Sequence, residues 1–169
     1  WLAEAYIFVV RGTPLMLQLF FFYYGLPFLP GIGQYLRLSS FAAAALSFTL
    51  NYAAYFAEIF RGGLLSIDRG QYEVSHVLGL TSFQTMTRII IPQMIRVTLP
   101  SIGNEAITLV KDTALVASIA LPELLHYAKG IVTRDFTTTP FIVAAFIYLL
   151  ITFVVTVLFK FAERKTNYE

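Results

Sequence analysis

Long apolar runs alternate along the chain with short clusters of charge, glycine and proline, and four of those runs approach the roughly 20 residues a helix needs to cross a bilayer. The first, residues 14–30, follows an Arg11-Gly12-Thr13-Pro14 corner in which proline suits a helix start. Gln18 is its strongly polar residue, and Pro27, Pro30, Gly31 and Gly33 end it. The second, residues 38–60, carries one charge, Glu58, with Arg61 just beyond and Gly62-Gly63 as the expected stop. The third, residues 101–122, is interrupted by Glu105, Lys111 and Asp112. The fourth, residues 137–159, is uncharged until Lys160, Arg164 and Lys165 close it. The pattern predicts an all-α integral membrane protein, a single domain with four transmembrane helices.

Composition agrees: 57% of residues are hydrophobic and 13% charged, with a mean hydropathy of +0.71, far from the balance of an ordinary soluble domain. The 12 basic and 10 acidic residues are scattered. No basic stripe of the kind that neutralises phosphates occurs, so no nucleic-acid partner is expected. The absence of cysteine removes disulfides, thiolate chemistry and Cys-based metal sites. Short cytoplasmic loops carry the excess of Lys and Arg. With the C-terminus inside, the inner side would hold Arg11, Arg61, Arg69, Arg88, Arg96, Lys160, Arg164 and Lys165, against Arg37, Lys129 and Arg134 outside. Residues 61–100 then form one cytoplasmic segment, too long to be a simple turn. The chain opens on Trp1 with no signal-peptide pattern, and its natural start is expected to lie upstream.

Within that segment, about 70–92, residues 71–78 predict a helix with Glu73 in its first turn and Gly79 as a left-handed C-terminal cap. Val74, Val77 and Leu78 share one face, a surface suited to a partner's groove. Thr81-Ser82-Phe83-Gln84 fits a capping box and opens a second helix, expected to break or kink near Ile91-Pro92. The run Glu73-Val74-Ser75, then Gly79, then Ile91-Pro92 resembles the EAA loop of ABC-importer permeases. Further segments resemble the polar amino acid uptake group of that family: Arg11-Gly12-Thr13-Pro14-Leu15, Ala57-Glu58-Ile59-Phe60-Arg61-Gly62-Gly63 and Lys111-Asp112-Thr113-Ala114-Leu115. Val74-Ser75 stands where the motif has two alanines.

The resemblance implies a type I ABC-importer permease fold, usually of five spans, of which this chain resembles the last four. It implies ATP-binding subunits in the cytoplasm that dock on Glu73, Val74, Ser75, Val77, Leu78 and Gly79. It also implies a second permease subunit, identical or closely related, and an extracytoplasmic amino-acid-binding protein. The implied location is a bacterial inner membrane. No G-x-x-x-x-G-K-[ST] loop occurs in the chain, so ATP and Mg²⁺ are expected on the partner ATPase and no cofactor on this chain.

Ser101, Asn104, Glu105, Thr108, Lys111 and Asp112 recur at helical spacing and predict one polar face. Ionisable groups near the bilayer centre cost roughly 2.5–3.5 kcal/mol and face a partner or water. Asn51, Glu58, Asn104, Glu105, Thr108, Lys111, Asp112 and Thr113 are therefore the candidate solute-pathway residues. The opposing reading is that Lys111 and Asp112 only hold the bundle together, and that Glu58 pairs with Arg61 and reaches the interface. Phe20, Phe21, Phe22, Tyr23 and Tyr24 read as lipid-facing bulk and interfacial belt. His76 and His126 lack metal-ligand spacing. A non-transporting anchor would explain the docking helix but not the polar stripe. An intramembrane enzyme finds no catalytic constellation in the sequence.

Overall fold

The structure, a computed structural model, describes residues 1–167, and among them every regular element is helical. The last helix, α8 (Thr139–Asn167), shows why the bundle belongs in a membrane. Its Thr139–Thr166 stretch has a mean hydropathy of 2.8 in its most apolar window, yet only 6% of that window is buried inside the protein. A soluble core helix would be covered. Ile142, Phe146, Leu149, Phe153, Val157 and Leu158 instead face outward, where lipid hydrocarbon satisfies them.

The N-terminal elements are α1 (Leu2–Arg11) and α2 (Leu15–Phe20), the latter prolonged by a π turn, Phe21–Gly25, and a 3₁₀ turn, Leu26–Phe28. The limbs Leu2–Arg11 and Leu15–Phe28 meet at 102°. Pro14 lacks the N–H that would continue the helix, so residues 14–30 form the second limb of a bent pair rather than a free-standing span. Beyond Ser39, whose hydroxyl caps Ala42 N–H at 3.2 Å, α3 runs from Ser40 to Leu65. It does not stop at Gly62-Gly63. Gly63 is buried inside it, and a Cβ there would lie 2.3 Å from Thr98 Cγ2. The glycine is a close-packing point between helices.

Helix α4 (Arg69–Val77) begins two residues before the expected start because Asp68 caps it, its carboxylate accepting from Gly70 N–H at 2.6 Å. Glu73 thus lies in the second turn. The short α5 (Ser82–Thr85) has both capping-box bonds between Thr81 and Gln84. A π turn, Met86–Ile90, follows, and α6 (Ile91–Asp112) continues from it with Pro92 in its first turn. The interruption expected at Ile91-Pro92 takes the form of a widened turn. Arg88, whose carbonyl Pro92 cannot serve, sits inside it. The helix of the third apolar run therefore starts at Ile91, not 101, and beyond Asp112 it tightens into a 3₁₀ stretch, Thr113–Ile119. Ala120, with φ 56°, closes that stretch.

The connection between the third and fourth apolar runs contains α7 (Leu124–Asp135). Leu124, Leu125, Ala128, Ile131 and Val132 have helical spacing. Glu123 caps the helix, accepting from Leu125 N–H at 2.8 Å and His126 N–H at 2.5 Å. It also accepts from Tyr148 Oη of α8 at 2.9 Å. Glu123→Ala removes the cap and the tie to α8 together. We expect a loss of about 1–2 kcal/mol, read as a lower midpoint of thermal unfolding in detergent, with Glu123→Asp losing less.

The helices pack in a row: α1 and α2 on α3, α3 on α6, and α6 with α7 on α8. α6 approaches α8 closely at Gly103, where a Cβ would meet the Phe159 ring at 3.0 Å. Leu19, Ala44, Val116 and Ile119 form the buried apolar core, flanked by Phe20, Tyr23 and Phe48. The aromatic run after Gln18 is therefore divided: Phe20 and Tyr23 pack inward, while Phe21 and Tyr24 are exposed.

Candidate functional site

Where the α1–α2 corner, α3 and α6 converge, they line an open cavity of about 370 Å³, within the size range of small-ligand pockets. Arg11, Thr13, Asn51, Tyr52, Tyr55, Glu105, Thr108 and Asp112 supply its polar lining. Glu105 and Asp112 are two helical turns apart on α6 and so project to the same side. Tyr52 Oη donates to Asp112 Oδ2 at 2.9 Å, joining α3 to α6 across the cavity. The Arg11 guanidinium lies over the Tyr55 ring, 5.2 Å from its centroid, a cation–π contact. Arg11 therefore belongs to the bundle beside the middle of α3 and is no loop charge in the orientation count.

Buried Asn51 has a different partner. Its Nδ2 donates to Gln18 Oε1 at 3.1 Å. Gln18 Nε2 in turn donates to Val10 O at 2.8 Å, Thr13 Oγ1 at 2.9 Å and Thr13 O at 3.2 Å. An irregular corner packed in a helix bundle leaves backbone carbonyls that must be satisfied internally. The two amides do this and fasten the corner to α3.

The expected single polar face of α6 is split. Glu105, Thr108 and Asp112 line the cavity, whereas Lys111 borders an apolar groove with Ala114, Ala145, Tyr148, Leu149 and Thr152. Successive helical residues diverge by about 100°, and Lys111 and Asp112 border different cavities. Ser101, Asn104 and Lys111 are exposed. Thr113, also exposed, donates to Val110 O at 2.7 Å. Glu58 accepts from Arg61 through both carboxylate oxygens and lies, with Arg61, Glu4 and Arg11, on a neighbouring cavity of about 590 Å³. Outside the spanning segments, Arg134 Nε donates to Asp135 Oδ1 at 2.6 Å, and that bond holds the Asp135 carboxyl below the usual carboxylate range.

At the far end of α3, α4 closes in a Schellman motif. Gly79 N–H donates to His76 O at 3.0 Å and Leu80 N–H to Ser75 O at 3.1 Å, with Gly79 at φ 72°. Ser75 is buried and donates to Gln71 O at 2.6 Å. Gln93 of α6 donates to Gln71 Oε1 at 3.2 Å, joining the two helices. Val74, Val77 and Leu78 are exposed, Val77 by 85%, and Glu73 borders a cavity of about 720 Å³ with Tyr72, His76 and Met86.

Long helices around a charged, open cavity, with a capped helix off one end, are the parts of a membrane transport subunit. The chain belongs to the family of binding-protein-dependent transport system inner membrane components, whose sequence model matches residues 1–168. It is 42% identical to the probable amino-acid ABC transporter permease protein YckA of Bacillus subtilis, over 98% of this chain and 71% of that protein. It is 37% identical to the L-cystine transport system permease protein TcyB of the same organism, over 99% and 70%. A solved structure, described as the crystal structure of an amino acid ABC transporter with histidines, superposes with a TM-score of 0.85 at 36% identity, covering 96% of this chain and 74% of that one. The protein is a permease of this inner-membrane family, as its motifs imply, and its class is transport rather than catalysis.

Arg11, Thr13, Gln18, Tyr52 and Tyr55 join the site without having been candidates. The signal was present for Gln18, a lone amide in an apolar run. For Tyr52 and Tyr55 there was none, since tyrosine is common in such helices.

Proposed function

We propose that the protein is the permease subunit of an ATP-driven importer of polar amino acids, with the cavity between the α1–α2 corner, α3 and α6 on the solute path. The observation that carries this reading is the pairing of opposite charges in one small cavity, Arg11 against Glu105 and Asp112, which matches a zwitterion. The names of the relatives support the solute class. The exposed polar residues Asn104 and Lys111, two turns apart on one side of α6, support a second permease subunit against that side, because a lysine in a spanning helix is costly against lipid. The complete path then runs between two bundles. ATP and Mg²⁺ belong to separate cytoplasmic subunits that dock on α4, and an extracytoplasmic protein delivers the solute. The C-terminus is cytoplasmic in this arrangement.

Reconstitution of the permease with its ATPase subunits and binding protein tests the reading. Uptake of at least one of the twenty amino acids, dependent on ATP inside and on the binding protein outside, is expected. Absence of uptake for all twenty overturns it. Gly79→Val tests the coupling arm. Its φ of 72° disfavours any side chain, a β-branched one most, although nothing lies within 4 Å of the added Cβ. The variant should insert and assemble, lose most uptake and retain ATP hydrolysis. Wild-type uptake would exclude α4 from coupling.

A further inference from the structure

We infer that Arg11, held by the Gln18–Asn51 amide pair at the elbow of the bent N-terminal helices, is the residue that recognises the carboxylate of the transported solute. The inference rests on the reading of the cavity as a solute site. Arg11 is the one basic residue on its lining. Its guanidinium stacks on Tyr55 but makes no side-chain hydrogen bond or ion pair among the described residues. None of the carboxylates around it is hydrogen-bonded to it. Glu58 is engaged by Arg61, Asp112 accepts from Tyr52 across the cavity, and Glu105 lies on α6 opposite the corner. A planar five-donor fork with no carboxylate hydrogen-bonded to it, lining a cavity between spanning helices, suits a bidentate carboxylate. Glu105 and Asp112 then face the solute's ammonium group.

The corner explains how the fork stays in place. The Gln18 amide bonds Val10 O immediately before Arg11 and Thr13 just after it, and Asn51 ties that amide to α3, the helix that carries Tyr55. Gln18 is thus a positioning residue that acts through Arg11.

Equilibrium binding to the purified permease–ATPase complex, without the binding protein, separates the possibilities. The probes are the amino acid that the complex accumulates and its α-carboxamide, which has the same shape without the carboxylate charge. Wild type should prefer the acid by about tenfold or more, a factor of ten being 1.4 kcal/mol. Arg11→Met should weaken the acid by a similar factor and leave the carboxamide unchanged, so that the preference disappears. Gln18→Leu should reduce the preference partway, raising KM for uptake more than it lowers kcat. Arg11→Lys keeps the charge without the fork and serves where Arg11→Met is not recovered as a complex: a reduced preference supports the assignment and an unaltered one overturns it. An equal loss for both probes in Arg11→Met also overturns it, since that reports a general disturbance of the cavity. A wild-type complex that takes up solute but binds neither probe removes the cavity as a solute site and the inference with it.

Discussion

Gly63→Ala is expected to destabilise the helix bundle by about 1–3 kcal/mol, the usual cost of overpacking a tight contact. The added Cβ would lie 2.3 Å from Thr98 Cγ2 and 3.0 Å from Met94 Cγ. Met94 can turn aside, but the Thr98 methyl is fixed, because Thr98 Oγ1 donates to Met94 O at 2.9 Å. α3 and α6 must therefore separate at this contact. Thr98→Ser removes the methyl and keeps the hydroxyl bond, so Gly63→Ala should recover most of its stability in that background. Thermal unfolding of the four proteins of this double-mutant cycle in detergent measures the effect. Equal losses in both backgrounds would show that the contact does not limit the packing of α3 on α6.

The second large effect concerns Asp112. Asp112→Asn preserves an acceptor for Tyr52 Oη, so the bond from α3 to α6 and the fold should survive while the charge is lost. If Asp112 faces the ammonium of the solute, affinity should fall about tenfold or more, since hydrogen bonds to charged groups contribute roughly 1.5–3 kcal/mol. Uptake kinetics would then show a raised KM, while light scattering shows unchanged assembly. Tyr52→Phe leaves the carboxylate without its tyrosine donor and provides the control. It should lower stability more than it alters affinity. Unchanged kinetics in Asp112→Asn would remove this residue from the solute path and leave it the purely structural role of joining α3 to α6.

Legibility varied with the range of the interaction. The arm formed by α4 and α5 could be read because its determinants are local. Gly79 needs only its own dihedral, Thr81 and Gln84 bond to each other across one turn, and an exposed apolar face announces itself by periodicity. Even there the start moved, because the Asp68 cap lies outside the apolar pattern. The cavity was half legible. Glu105, Thr108 and Asp112 share a helical face that spacing reveals, but the same spacing also admitted Lys111, which a rotation of one residue turns toward α8. Asn51 stood out as a polar residue in an apolar helix, yet only its neighbour across the bundle, Gln18, defines its role. Gly62-Gly63 reads as a stop because glycine weakens helices. Packing against Thr98 overrode that local preference.

By itself, the sequence determined that the chain is helical and lipid-embedded, that a capped helix interrupts the apolar runs, and which family's motifs it carries. These follow from hydrophobic period, composition and bonds between residues a few positions apart. Only the tertiary structure decided that α1 and α2 meet at a corner beside α3, that Arg11 enters the cavity, and that Lys111 and Asp112 serve different faces. Those outcomes depend on contacts such as Gln18 with Asn51 and Tyr52 with Asp112, between residues far apart in the chain. Local pattern does not encode which helix faces which, and that is settled by how the whole bundle packs.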